Sequence, residues 1–270
     1  MTAPSAAFAS FEQKWLAEYP ENAIVALFLP SEQRVRASAF GTLIHELTHA
    51  AVRVGEAQVA AAKLAWWQQE LAETTSGRPR HPVTQVLFAE SGAGPAERWT
   101  ALAATALRLL DDAPAPSADA LIERLRPFHA AVDAAEAALF ADPAAPAGAR
   151  VRQRTVSHLL RELAGNTQRL PVPLDLLARH GIGRADLGTA SAARSALVRD
   201  FIQALAAHPP GDAAGGTLAQ RVRARLDAAL MRGALTAGDP LAYLRARTPS
   251  TRWQALWITW REARAVAAGR

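Results

Sequence analysis

Apolar residues recur at steps of three and four through most of the chain, and no segment keeps a strict alternation of apolar and polar residues. Steps of three and four place apolar side chains on one face of an α-helix, whereas alternation is typical of a strand. The periodic segments are also rich in Ala, Leu, Glu, Gln and Arg, which favour helix. The pattern predicts an all-α protein with about nine helices.

Segments dense in proline and glycine separate the predicted helices. They cover residues 74–82, 91–95, 112–117, 142–148, 171–173, 181–188, 208–216 and 236–240. Three helix starts are predicted, at Ser117, at Ser250 and at the Asp239-Pro240 pair. Serine and aspartate side chains cap free backbone N–H groups, and proline is favoured at the first helical position. None of the interior loops resembles a flexible domain linker, so we expect one helical bundle domain over residues 1–270.

Residues 37–73 are predicted to form two successive helices. In the first, one apolar face is formed by Phe40, Leu43, Ile44, Leu47, Ala51 and Val54. A neighbouring face of the same helix carries His45, Thr48, His49 and Val52. We expect the chemistry of the protein to depend on what this second face contacts.

The last predicted helix carries Trp253, Trp257 and Trp260 at steps of four and three. Such a stripe of large aromatic residues is most often buried in a core. The sequence therefore predicts that these tryptophans pack inward.

Half of the 270 residues are apolar, which is enough for a core without covalent cross-links. Cysteine is absent, which excludes disulfides, thiolate metal sites and cysteine nucleophiles. The N-terminus lacks a signal-peptide pattern, and no apolar run reaches the ~20 residues of a membrane span. We therefore expect a cytoplasmic protein, for which peripheral membrane contact stays open.

The net charge of +5 permits an anionic partner, and most of the basic residues are arginines. No cluster of arginine and aromatic residues resembles a nucleic-acid module, so no nucleic-acid partner is expected.

The run from His45 to His49 matches the H-E-x-x-H motif of zinc hydrolases. Two histidines at i and i+4 share a helix face and can bind one zinc ion, with Glu46 as general base. A catalytic zinc needs a third protein ligand, and Glu70 and Glu73 are only generic candidates. A zinc hydrolase is therefore one functional alternative.

Several longer segments resemble the squalene and phytoene synthase family, and they occur in that family's order. The resemblance is carried by Leu29-Pro30 with Arg34, Ala62–Leu71 (AKLAWWQQEL), Gly77–Val83 (GRPRHPV), Leu159–Glu162 (LLRE), Leu170–Gly181 (LPVPLDLLARHG) and the basic helix after Pro249. Because these segments extend over nearly the whole chain, they are more specific than one five-residue motif.

The resemblance implies an isoprenoid-synthase helical bundle around a central cavity. Members of that family join two prenyl diphosphates head to head, and aspartate-rich motifs on two facing helices hold Mg²⁺ against the diphosphates. Loss of diphosphate leaves an allylic cation, so hard cations on carboxylate oxygens must neutralise the leaving group.

Both aspartate-rich motifs are degenerate in this sequence. By the resemblance, the first motif (D-D-x-x-D) falls on Thr48, His49 and Val52, and none of these is a carboxylate. The second motif (N-x-x-x-D-x-x-x-D) falls on His158, Glu162 and Asn166, where one carboxylate remains.

The degenerate motifs favour a divergent, non-catalytic or weakly active member of the family. Such a protein would retain a cavity for a prenyl chain or another lipid, or a surface for a protein partner. One branch of the family with degenerate motifs assembles respiratory complex I. The alternatives are an active, Mg²⁺-dependent prenyltransferase of isoprenoid, carotenoid or hopanoid biosynthesis and the zinc hydrolase described above; an inactive protein needs no cofactor.

The resemblance and the zinc-like run together give the candidate site residues. The candidate catalytic residues are Glu162 and Asn166. The candidate substrate-binding residues are Arg34, Thr48, Val52, Trp66, His158 and Arg161. The candidate metal ligands are Glu162, His49 and His45. Alternatively, Trp66 and Trp67 pack between helices, Arg161 and Glu162 form a solvated pair, and Arg34 is an ordinary surface residue.

Overall fold

The computed structural model describes residues 5–74, 77–89, 96–111, 113–140, 147–165, 170–207, 216–248 and 251–268. These residues form thirteen α-helices and no strand, which confirms the all-α prediction. The helices are α1 (Ala6–Glu18), α2 (Glu21–Leu27), α3 (Ser31–Val52), α4 (Ala57–Thr74), α5 (Pro82–Leu87), α6 (Ala96–Ala106), α7 (Ala118–Phe140), α8 (Ala147–Gly165), α9 (Leu174–His180), α10 (Ala192–Ala206), α11 (Leu218–Thr236), α12 (Pro240–Arg247) and α13 (Arg252–Ala268). Short 3-10 turns occupy Leu107–Leu110 and Arg184–Gly188.

The structure has more helices than the sequence predicts, and four of them are short. Helices α2, α5, α9 and α12 contain only six to eight residues. Two turns are too few for the three-to-four periodicity to be recognised. The two long helices predicted within residues 37–73 are present as α3 and α4.

Two of the three predicted helix starts are confirmed. The carboxylate of Asp239 accepts hydrogen bonds from the backbone N–H groups of Leu241 and Ala242, each at 3.1 Å. The hydroxyl of Ser117 accepts one from the backbone N–H of Ala120 at 3.2 Å. Ser250 lies outside the described residues.

The chain divides into two compact units. Unit 1 comprises residues 1–112 and 130–141, and unit 2 comprises residues 113–129 and 142–270. The predicted single domain and its central cavity stay predictions.

Unit 1 is built around α3 and α4. Helix α3 packs against α1, α4 and α5, and α4 packs against α6. Its most deeply buried large side chains include Phe8, Leu43, Leu47, Leu64, Leu71, Leu87, Trp99 and Leu102. Gly41 lets α1 approach α3 closely, because a Cβ at this position would lie 2.3 Å from the ring of Trp15.

Unit 2 is centred on α11, which packs against α8, α10, α12 and α13. Its buried core includes Phe128, Leu159, Leu160, Phe201, Ile202, Leu205, Val222, Leu226, Leu241 and Leu244. Gly181 ends α9 at φ 61°, a left-handed conformation that glycine adopts without a Cβ clash.

The tryptophans of α13 face outward, so the prediction that they pack inward is wrong. Trp253 is 81% exposed, Trp257 58% and Trp260 39%. The buried face of α13 consists instead of Ala255, Thr259 and Glu262. Periodicity locates a stripe of large apolar residues on a helix, but it does not show which face meets the core.

Within the described residues, no helix combines the length and the apolar character that a membrane crossing requires.

Candidate functional site

His45, the first histidine of the H-E-x-x-H run, is buried in unit 1 beside an acidic side chain of α1. Its Nδ1 lies 3.5 Å from Oε2 of Glu18, and its ring meets Tyr19 edge-on at 6.0 Å between centroids. Burial lowers the pKa of His45, although the charge of Glu18 opposes this shift. The side chain is therefore held by α1 as well as by its own helix.

The three positions that resemble the first metal motif offer poor ligands for Mg²⁺. Thr48 and Val52 are half-buried and His49 is exposed on α3. Their side chains supply a hydroxyl, an alkyl group and an imidazole, whereas Mg²⁺ prefers carboxylate oxygens and water. These residues do not fit a diphosphate-bound magnesium site on α3.

The zinc hypothesis depends on the two histidines of the H-E-x-x-H run, which lie close together on α3. The rings of His45 and His49 lie 5.8 Å apart between centroids. In the part of the chain that the structure describes, no group of three His, Asp or Glu side chains is arranged to hold a metal. Zinc hydrolysis thus lacks support from the described geometry.

His158 and Glu162 of the second motif lie on α8 in unit 2, where His158 is half-buried. Glu162 and Arg161 are both buried, so the alternative of a solvated surface pair is wrong. His158 meets the ring of His129 on α7 edge-on, at 5.3 Å between centroids. Burial lowers the pKa of His129 well below its ordinary value, and His158 and Arg154 add to this shift. Asn166 lies outside the described residues.

Arg34 lies at the surface and spans the turn between α2 and α3. Its Nε donates a hydrogen bond to the backbone carbonyl of Leu29 at 2.9 Å, and Nη2 donates one to that of Leu27 at 3.4 Å. These contacts close the end of α2. A diphosphate-binding role for Arg34 stays a prediction.

The AKLAWWQQEL and GRPRHPV segments meet in an aromatic cluster. His81 lies 4.6 Å from Trp67 and 5.7 Å from Trp66 between ring centroids, and Phe11 of α1 lies 4.6 Å from it on the same measure. Trp67 is buried, whereas Trp66 is partly exposed at 40%. The packing alternative therefore describes Trp67, and Trp66 keeps a surface that a ligand could contact.

Glu70 joins the same two segments, a role that the sequence analysis missed. Its Oε1 accepts hydrogen bonds from the backbone N–H groups of Arg80 and His81, each at 2.8 Å, and from the hydroxyl of Thr84. Burial alone would raise the pKa of Glu70, but these donors and the Arg80 guanidinium lower it. An acid at an apolar register position of α4, ten residues before Arg80, was the available signal.

Unit 2 contains a polar pocket, and the sequence-predicted site residue Arg161 is part of its lining. Asp227 of α11 is buried, and its Oδ2 accepts hydrogen bonds from Ser157 and, at 3.0 Å, from Gln153. Arg223 pairs with Oδ1 of the same carboxylate at 3.0 Å. The pocket is lined by Arg161, Arg223, Asp227, Tyr243, Thr248 and Gln254. The signal was Asp227 itself, which occupies a core position of α11.

Unit 1 also buries two acids of α7, Asp133 and Glu136, which the sequence analysis did not select. They lie three residues apart and therefore on the same side of the helix. Buried acids at this spacing are polar interruptions in an apolar register, and this was the signal that could have identified them.

The backbone resembles two solved structures over nearly the whole chain. One is the crystal structure of a dehydrosqualene synthase in complex with ligand, with a TM-score of 0.71, 14% identity and 97% of each chain covered. The other is squalene synthase HpnC from Alicyclobacillus acidocaldarius, with a TM-score of 0.56, 16% identity, and coverage of 97% of this chain and 92% of that one. No protein-family model and no curated protein matches the sequence.

The protein therefore belongs to the all-α class and has a squalene/phytoene synthase-like fold. At 14% and 16% identity, the likeness extends to the fold alone.

Proposed function

We propose that this protein is a non-catalytic relative of the head-to-head prenyl synthases that binds a prenyl chain or a similar lipid. The observation that carries the proposal is the ligand set of α3, in which Thr48, His49 and Val52 stand where the resemblance expects three aspartates. The fold supports a shared ancestry with these enzymes, and the α3 side chains argue against their chemistry.

The chemical argument concerns the charge of the leaving group. Ionisation of a prenyl diphosphate releases a highly charged anion, which Mg²⁺ must neutralise in the transition state. Several carboxylates are needed to hold such hard cations. At the first motif, α3 supplies a hydroxyl, an imidazole and an alkyl group instead of carboxylates. Glu162 of α8 is therefore the one acid among the described motif positions.

Lipid binding does not need these metal ions. An apolar chain is bound by burial of its surface, and large aromatic side chains contribute most of that area. The partly exposed ring of Trp66, backed by Trp67 and His81, supports such a role. A protein partner is the other occupant that a non-catalytic relative would have.

Active prenyl transfer is the second candidate function, and the retained acid on α8 favours it. Glu162 is buried on α8, at a position where the resemblance expects an aspartate. A residual metal site centred on Glu162 would explain why the position is still acidic.

Mass spectrometry of the products decides between these functions. The purified protein is incubated with farnesyl diphosphate and Mg²⁺, and the organic extract is analysed. We expect intact substrate, together with quenching of tryptophan fluorescence when farnesyl diphosphate is added without metal. A thirty-carbon product would overturn the non-catalytic proposal.

A variant that restores the carboxylates tests the cause. Thr48→Asp, His49→Asp and Val52→Asp together recreate the D-D-x-x-D spacing on α3, and calorimetric titration with Mg²⁺ measures the outcome. We expect the variant to bind Mg²⁺ more tightly than the unchanged protein. The matched control is Gln58→Asp, Val59→Asp and Ala62→Asp, which places the same spacing on an exposed face of α4. Equal Mg²⁺ binding by the two variants would remove any special role of α3.

A further inference from the structure

The outer face of α13 carries an apolar surface that the fold leaves uncovered. Trp253, Trp257 and Trp260 lie along one side of the helix, and the rings of Trp257 and Trp260 stack at 5.2 Å between centroids. Leu256 is exposed beside them. Most large aromatic residues are buried, so three exposed tryptophans on one helix face indicate an interaction surface.

The basic and acidic side chains of α13 lie on different faces of the helix. Arg252, Arg261 and Arg264 are exposed. The one acid of α13, Glu262, is buried, and its two carboxylate oxygens accept hydrogen bonds from Arg221 at 2.9 Å and Arg225 at 3.0 Å of α11. The outward charges that α13 itself contributes are therefore all positive.

Arginine and tryptophan are combined within this face. The guanidinium of Arg264 lies over the ring of Trp260, 4.9 Å from its centroid. Such a contact holds the charged group beside the aromatic surface while leaving its N–H groups directed toward other acceptors. This face of α13 therefore presents apolar surface and N–H donors for phosphate side by side.

We propose that the outer face of α13 binds to the surface of an anionic lipid bilayer. Tryptophan rings prefer the boundary between lipid headgroups and acyl chains, and arginines there pair with anionic headgroups. The 17-residue helix would lie flat over roughly 25 Å. Its apolar side would enter the boundary region, as amphipathic interfacial helices do.

Charge argues against a second copy of this chain as the occupant. A two-fold contact through this face would place the Arg252, Arg261 and Arg264 side chains of the two copies near one another. Like charges across an interface are costly, and no outward acid of α13 compensates them. An anionic bilayer has the complementary charge and adapts its shape to a narrow stripe of aromatic residues.

Vesicle flotation with the full chain tests the proposal. The vesicles are either pure phosphatidylcholine or contain about one third phosphatidylglycerol, so that the second kind carries a negative surface potential. We expect binding to the anionic vesicles, a blue shift of tryptophan fluorescence on binding, and weakening by salt. Binding to neutral vesicles should be much weaker.

Two sets of variants separate the apolar and charged parts of the surface. Trp253→Ser, Trp257→Ser and Trp260→Ser together should weaken binding at least about a hundredfold, because most of the inserted area is lost. Arg252→Gln, Arg261→Gln and Arg264→Gln together should weaken it by about fivefold per arginine. The control for the tryptophan variant is Leu27→Ser, Val59→Ser and Leu174→Ser together. The control for the arginine variant is Arg126→Gln, Arg152→Gln and Arg232→Gln together. Both controls alter exposed residues outside α13. Both controls should stay within about twofold of the unchanged protein.

Three outcomes would overturn the proposal. The first is no binding to anionic vesicles. The second is equal binding by the α13 variants and their controls. The third is a dimer, detected by sedimentation, that the tryptophan variant dissociates, because the face would then be covered by a second copy of this chain.

Discussion

Helices α4 and α13 both carry more than one tryptophan, but the side chain of Trp67 on α4 is buried whereas the tryptophans of α13 are exposed. On α4, Trp67 is 5% exposed and packs against His81. On α13, Trp257 is 58% exposed and stacks on Trp260 at the surface. The sequence indicates burial for both helices, and the structure confirms it for Trp67 alone.

The difference lies in what else each helix buries. Helix α4 turns Leu64, Trp67 and Leu71 inward together with Glu70, whose carboxylate binds the loop before α5. Helix α13 turns small residues inward, and Glu262 fixes it to α11 through Arg221 and Arg225. Glu262 and its two arginines hold the inner face of α13 against α11, and the tryptophans lie on the outer face.

The largest expected effect contrasts the two kinds of tryptophan directly. Trp67→Ala should lower the free energy of unfolding by about 3–5 kcal/mol, because it leaves a cavity among Trp66, His81 and the core of unit 1. Trp257→Ala should change it by less than about 0.5 kcal/mol, because the ring is mostly in water. Urea unfolding followed by circular dichroism measures both. A loss of similar size for Trp257→Ala would mean that the α13 face is packed in solution.

The second effect concerns the anchor of the α4 cluster. Glu70→Ala should cost about 3 kcal/mol, because the backbone N–H groups of Arg80 and His81 and the hydroxyl of Thr84 lose their acceptor. Glu70→Gln keeps one carbonyl acceptor and should cost about half as much. Urea unfolding again gives the values. Equal costs for the two variants would show that the charge of Glu70, and not its hydrogen bonding, holds the loop.

The matching anchor on α13 should matter less. Glu262→Gln should cost about 1–2 kcal/mol, because the amide still accepts one hydrogen bond from Arg221 or Arg225 while the charge assistance is lost. The substitution leaves two arginines without their acid, and Arg225 is already largely solvated. The measurement is urea unfolding at low and high salt. Arg232→Gln, which removes an exposed charge of α11, serves as the control, and a loss of the same size in that variant would contradict an anchoring role for Glu262.

Local sequence signals predicted those parts of the fold that depend on neighbouring residues. The Asp239-Pro240 start and the helix pair α3 and α4 follow from contacts within a few positions. Contacts between residues that are far apart in the sequence could not be predicted. Glu18, for example, lies 27 positions before His45, and Ser157 lies 70 positions before Asp227. The same limit explains why the α13 tryptophans were assigned to the core, since their exposure depends on Arg221 and Arg225 of another helix.

The same distinction between local and distant contacts holds for the candidate site. Degenerate motifs on α3 and α8 were readable because the resemblance fixes their positions residue by residue. The hydrogen bonds of Glu70 and the contact between His129 and His158 depend on how distant helices pack. A motif at fixed spacing therefore identifies its own residues but not the partners that set their charge.

The smallest expected effect is a dependence of stability on pH between about 7.5 and 5.5, which the α4 cluster has through His81. Helix α13, whose lowered pKa is that of the carboxyl of Glu262, lacks it in this range. Burial lowers the pKa of His81, although the facing carboxylate of Glu70 opposes the shift. As the pH falls below the unfolded pKa of about 6.5, the unfolded chain takes up a proton that the folded cluster resists, so stability is lost. Protonation would also remove the Nδ1 acceptor that caps α5 through the backbone N–H of Val83, at 3.2 Å.

A cap that does not titrate isolates this contribution. His81→Asn keeps a side-chain acceptor for the N–H of Val83, so it should reduce the loss of stability between about pH 7.5 and 5.5 by up to about 1.4 kcal/mol per pH unit. His45 and His129, whose pKa values are also lowered, remain in the variant and account for the residual slope. Unfolding titrations at a series of pH values provide the measurement, and Trp257→Ala should keep the original slope. If His81→Asn also keeps it, His81 is protonated equally in the folded and unfolded chains, and the aromatic cluster does not resist its charge.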